Sequence, residues 1–116
     1  MSRLRQLVKA LRVLGACDRR WWLALRRGVA PSLEHLRVLR LLRPSSVIDI
    51  GANRGQFALA VRHVLPQAAI DSFEPLPEPA AVFRRVFAGD TRVTLHACAI
   101  GERAGTTSMH VSARDD

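Results

Sequence analysis

Val47-Ile48-Asp49-Ile50-Gly51-Ala52-Asn53-Arg54-Gly55-Gln56-Phe57 is the stretch from which the rest of the chain is placed. Its first four residues are an apolar run dominated by β-branched side chains, which predicts a short strand. Gly51–Gly55 follows as a tight turn, where glycine tolerates positive φ and lets a ligand approach the backbone closely. A helical run from Gln56 to Leu65 opens next. Its first turn presents free N–H groups and the positive end of the helix dipole, which suit an anionic group. A strand, a glycine turn and a helix start make a nucleotide-type pocket.

Asp49 selects the ligand. In a dinucleotide fingerprint the phosphates lie on the glycine turn, and a carboxylate at the end of the preceding strand would repel them. S-adenosylmethionine reverses that preference, having a sulfonium, an ammonium, one carboxylate and no phosphate. Asp49 attracts its amino group, directly or through water, while the helix start faces its carboxylate. The spacing of Gly51 and Gly55 also departs from G-x-G-x-x-G. Glu74 ends the next predicted strand, Ala69–Phe73, and lies 23 positions after Gly51. An acid about 20 residues past such glycines is placed to accept hydrogen bonds from ribose hydroxyls, a feature common to both ligands. The competing account makes Asp49 and Glu74 ordinary strand-end carboxylates held by backbone N–H groups.

Three runs in order, VIDIGANRGQF, SFEPLPEP at Ser72–Pro79 and VTLHACAIGERAG at Val93–Gly105, resemble the front half of an FkbM-type methyltransferase. The resemblance covers roughly Pro44 to Asp116. It implies a class I, Rossmann-like fold and O-methylation of a hydroxyl on a small molecule or glycan, with S-adenosylmethionine as cofactor. It also implies that Asp49, Gly51, Asn53 and Gly55 surround the methionine half of the cofactor and that Glu74 holds its ribose. Arg54 stands at a variable place in the pattern and receives no role.

Downstream of the turn, Phe57, Ala60, Val61 and Val64 form an inward helical stripe that Pro66 ends. Pro79 sits near the first turn of a further helix, with Val82, Phe83, Val86 and Phe87 as its buried face and Gly89 as its stop. Val93, Leu95, Ala97 and Ala99 alternate as a third strand, and Thr107, Met109 and Val111 suggest a strand returning after the Gly101–Gly105 turn. The expected order is β-α-β-α-β plus a hairpin, a partial parallel sheet with right-handed crossovers. A class I methyltransferase continues with further strands beside the first. The chain is therefore expected to be the front part of a larger enzyme or a degenerate relative, with its first strand an exposed edge and no turnover alone.

Upstream lies a basic extension. Residues 1–43 carry eleven Lys/Arg against Asp18 and Glu34, a net +9, whereas residues 44–116 carry seven Arg against eight acids, a net −1. That asymmetry puts the boundary between a helical N-terminal extension (1–43) and a cofactor-binding domain (44–116) at Pro44-Ser45-Ser46. Met1–Leu14 reads as an amphipathic helix, with Leu4, Leu7, Val8, Leu11 and Leu14 on one face and Arg5, Lys9 and Arg12 beside them. The plain expectation is that the leucine face packs on the domain. Contact of residues 1–14 with an anionic membrane surface comes next, ahead of an organellar transit segment. Leu14-Gly15-Ala16-Cys17 looks like a lipoprotein cleavage box, but Lys9 and Arg12 interrupt what should be an uncharged stretch.

Trp21-Trp22 within an arginine-rich helix suggests nucleic-acid stacking, yet adjacent helical residues point about 100° apart and form no common platform. One tryptophan inward, with arginine stems over apolar surface, is the expectation. Ser32–Leu42 reads as a second helix, with Ser32 as N-cap and Leu33, Leu36, Val38 and Leu39 as its stripe. Cys17 and Cys98 are far apart and belong to no Cys/His cluster, so neither a disulfide framework nor a metal site is indicated and a reducing cytoplasm is the default. His63, His96 and His110 read as structural or solvent-exposed, and no catalytic base is assigned.

Overall fold

The computed structural model describes residues 3–15 and 18–112, without the side chains of 13 and 14. Met1, Ala16, Cys17, Asp115 and Asp116 lie outside the described residues, as does the Leu14 side chain. The elements run α1 (Arg3–Gly15), α2 (Arg19–Leu25), a 3-10 turn (Leu33–His35), α3 (Leu36–Leu42), β1 (Ser46–Ile50), α4 (Gln56–Val64), β2 (Ala69–Phe73), α5 (Pro77–Val86) and β3 (Val93–His96). The three strands form one parallel sheet in the order β1-β2-β3, with Asp49 opposite Ser72 and Ser72 opposite Leu95. This is an α/β arrangement. β1 stands at the edge, and Ile48 and Ile50 lie exposed on the sheet face opposite Asp49.

The other sheet face carries the core. Ile70 from β2, Ala58 to Val61 from α4, and Phe83 and Phe87 from the α5 segment pack there. Trp21, Ala24, Val29 and Leu39 belong to the same cluster. The charge boundary at Pro44 is therefore not a packing boundary: α2 and α3 close the core from the far side of α4. That explains why α4 buries Ala58, Leu59 and Arg62 as well as Ala60 and Val61 of the expected stripe, while Phe57 and Val64 are half-buried.

Trp21 shows how tightly the extension is joined. It is 2% exposed, whereas Trp22 is 46% exposed, as one-inward packing requires. The Trp21 indole N–H donates to the Leu59 carbonyl at 3.1 Å, and its ring lies on the His63 imidazole. Asp18 caps α2 by accepting from the Arg20 and Trp21 N–H groups, and its other oxygen is 2.6 Å from His63 Nδ1. His63 is thus structural. The buried Arg62 guanidinium donates to the carbonyls of Leu65, Pro66 and Ala68 and to Asp90. Arg20 from α2 also reaches Asp90. Burial pushes the Asp90 carboxyl up, but Arg20 and Arg62 outweigh it and hold it below its ordinary range.

Four expectations need correction. The returning strand does not form: residues 97–112 carry no strand, and Met109 and Val111 are exposed. β3 stops at His96 because the Cys98 N–H turns back onto the His96 carbonyl at 2.9 Å, so Ala97 and Ala99 lie outside it. Alternating apolar residues need a surface to bury against, and a lone hairpin is marginal in water. The helix expected from Ser32 begins as a 3-10 turn, with no cap bond from the Ser32 side chain, and Val38 is exposed. Finally, the leucine stripe of α1 does not pack on the domain: Leu4, Leu7, Val8 and Leu11 are all exposed. No helix among the described residues is long and apolar enough to cross a membrane.

Candidate functional site

The glycine turn hangs on the end of the neighbouring strand. The Gly51 and Ala52 N–H groups both donate to the Phe73 carbonyl at 2.9 Å. Doubling back within five residues then takes positive φ at Gly51 (+80°), Asn53 (+51°) and Gly55 (+100°). Asn53 is a natural non-glycine choice there, because its short polar side chain tolerates the left-handed region. The Arg54 N–H donates to the Gln56 side chain at 3.1 Å, and its guanidinium reaches Glu78 at the start of α5 at 3.2 Å. The N-cap of α4 is Gly55, so no cap side chain satisfies the helix's first N–H groups.

Gly51 and Gly55 do different work. At Gly51 an added Cβ would meet nothing within 4 Å, so that backbone faces open space. At Gly55 it would lie 2.8 Å from a Phe87 ring carbon and 3.2 Å from a Phe83 one. The structure thus gives Gly55 a packing role: it lets α4 start flush against the two phenylalanines.

Glu74 is buried and braces the turn. One carboxylate oxygen accepts from the Asn53 N–H at 2.8 Å and the other from the Leu76 N–H at 2.9 Å. Its own N–H donates to the His96 carbonyl. Backbone N–H groups therefore hold Glu74, as the competing account has it, but one of them belongs to the glycine turn itself. Each oxygen keeps a second acceptor direction.

Asp49, 7% exposed, sits one residue before the end of β1. The Ser72 hydroxyl approaches at 3.5 Å, the outer limit of a hydrogen bond. Burial pushes the Asp49 carboxyl above its ordinary 3.8; Ser72 opposes the rise, Glu74 adds to it and His35 opposes it. Two carboxylates close enough to feel each other, both desolvated, make a site that a cation relieves. His35, whose ring meets Phe57 edge-on at 5.1 Å, is the neighbour that sequence reading left without a role. Only its place near a helix start hinted at it.

A 620 Å³ cavity opens on the turn, lined by Gly51, Asn53, Arg54 and Gln56 on one side and by Gln6 and Lys9 of α1 on the other. That volume is in the ordinary range for small-molecule sites. Asp49, Gly55 and Glu74 are not in its lining. The structure thus places Gly51 and Asn53 at the cavity wall, Glu74 bonded to the turn, Asp49 at the strand end and Gly55 in the packing beneath. His96 pairs with Asp71 at 3.0 Å and stacks on Phe73 on the opposite sheet face. Among the described residues no group of three or more His, Cys, Asp or Glu side chains is placed to hold a metal ion. The chain matches no known family model, and no curated protein matches it.

Proposed function

We propose that this chain binds S-adenosylmethionine at the glycine turn, as the cofactor-binding part of a methyltransferase acting on a hydroxyl of a small molecule or glycan. One observation carries the reading: an exposed positive-φ turn stands beside two buried carboxylates, Asp49 and Glu74. Negative charge held out of water repels a pyrophosphate and attracts a ligand that brings a cation. The order of the parallel strands is compatible with a Rossmann-like class, and the FkbM-type reading rests on the three sequence runs.

Each residue has a separable task in this reading. Gly51 presents bare backbone to the ligand, and the uncapped start of α4 receives a carboxylate. Asp49 attracts the ammonium, and the unused acceptor directions of Glu74 take the ribose hydroxyls. Bound there, the cofactor supplies an electrophilic methyl group to the acceptor oxygen. The protein's contribution is alignment and exclusion of water.

Calorimetric titration with S-adenosylhomocysteine tests the assignment on Asp49→Asn, which keeps the side-chain shape. The parent should bind and the variant should bind at least about tenfold more weakly, the scale of one charge-assisted contact. Equal affinity in the two proteins would remove Asp49 from the site.

A further inference from the structure

Helix α1 carries an apolar stripe that stays exposed, although Leu4 and Val8 border an open cavity shared with Leu33 and Glu34. Leu4 is 69% and Leu11 59% exposed, and Leu7 and Val8 are exposed with them. At 3.6 residues per turn these four fall within an arc of about 100°. Gln6, Lys9 and Ala10, which line the cavity over the glycine turn, lie roughly opposite. The helix thus turns its polar back to the site and Leu7 and Leu11 to the surroundings, with Leu4 and Val8 along the rim of the cavity by Leu33.

Charge identifies what the leucines meet. Arg3, Arg5 and Arg12 flank the stripe, and α1 contains no acidic residue. The exposed Arg19, Arg26 and Arg27 of the α2 segment add to the same sign. A second copy of α1 would bring equally cationic surface to these residues. An anionic lipid surface supplies both a hydrocarbon layer for the leucines and phosphate or carboxylate groups for the cations. We propose that α1 lies flat on an anionic membrane surface, its leucine stripe in the acyl boundary and its arginines among the headgroups. The cavity on the glycine turn then opens about one helix diameter, roughly 10 Å, from the lipid. This inference stands whether or not that cavity takes S-adenosylmethionine.

Flotation of the full chain with vesicles of phosphatidylcholine alone, or containing a third phosphatidylserine, is the test, alongside Leu7→Gln/Leu11→Gln. Neither side chain is in the core, so the thermal unfolding midpoint of the variant should match the parent's and certify the comparison. The parent should float with anionic vesicles, bind neutral ones at least about tenfold more weakly, and be released by 0.5 M salt, through screening. The variant should lose on the order of a hundredfold in partitioning, about tenfold per leucine. Three results would overturn the proposal: no binding to anionic vesicles, equal binding to both vesicle types, or a variant that floats like the parent. A concentration-dependent dimer that the variant abolishes, without vesicle binding, would assign the stripe to a second copy instead.

Discussion

Replacing Gly55 by alanine should be far more damaging than the same change at Gly51, although both glycines belong to one turn. Both have positive φ, +100° and +80°, so each substitution incurs backbone strain of about 1–2 kcal/mol. Alanine recovers some of that, roughly 0.4–1 kcal/mol, by restricting the unfolded chain. At Gly51 nothing further is added, because the new methyl points into open space. At Gly55 it arrives 2.8 Å from a Phe87 ring carbon and 3.2 Å from Phe83. Those rings are buried against each other with centroids 4.8 Å apart, so neither can swing away freely. Overpacking of that kind adds about 1–3 kcal/mol. Gly55→Ala should therefore lose about 2–4 kcal/mol and Gly51→Ala no more than about 1–2. Urea unfolding followed by far-UV circular dichroism reads both, with a common slope required for the comparison. A second arm isolates the cause: in a double-mutant cycle Phe87→Leu should offset part of the Gly55→Ala loss, a coupling of at least about 1 kcal/mol. Equal losses at the two glycines, or no coupling to Phe87, would refute the packing role.

Other positions make independent tests. Because the folded protein raises the Asp49 pKa above 3.8, the native state retains a proton that the unfolded chain releases. Stability from this group is full below 3.8 and falls as pH rises through the folded pKa, so Asp49→Asn should gain on the parent across that window in pH-stepped urea titrations. Asp90 has the opposite sign: its pKa is lowered, so its contribution is present above the ordinary carboxylate range and disappears on acidification through the depressed value. Asp90→Asn should be destabilised at neutral pH by about 3 kcal/mol, the low end for breaking a buried pair, since Arg62 keeps three carbonyl acceptors. That deficit should shrink as pH falls. Trp21→Ala should cost about 3–5 kcal/mol in the same unfolding assay, and Trp22→Ala within about 1 kcal/mol.

What could be read from residues alone was whatever carried strong local punctuation. β2 runs from Ala69 to Phe73 as predicted, and α4 starts at Gln56 directly after the second glycine of the turn. The positive φ values at Gly51 and Gly55 follow from the same local logic. Illegible features depend on partners distant in sequence. Nothing near Arg62 announces a buried guanidinium, since its acceptors include Asp90, 28 residues on. Alternation at Thr107, Met109 and Val111 spells a strand, but no sheet surface receives it. The leucine stripe of α1 spells burial, yet the core is already closed by Trp21, Leu39 and α4. Within the candidate site, the spacing of Glu74 from the glycines pointed to the right neighbourhood. Its bond to the Asn53 N–H appears only once β1 and β2 lie side by side.

The cofactor assignment is tested most directly by amide NMR of the labelled chain, titrated in parallel with S-adenosylhomocysteine and with NAD. Saturable shifts from S-adenosylhomocysteine should centre on Gly51, Asn53 and the first turn of α4, with NAD producing none at equal concentration. Shifts confined to another surface, or a stronger response to NAD at the same amides, would contradict it.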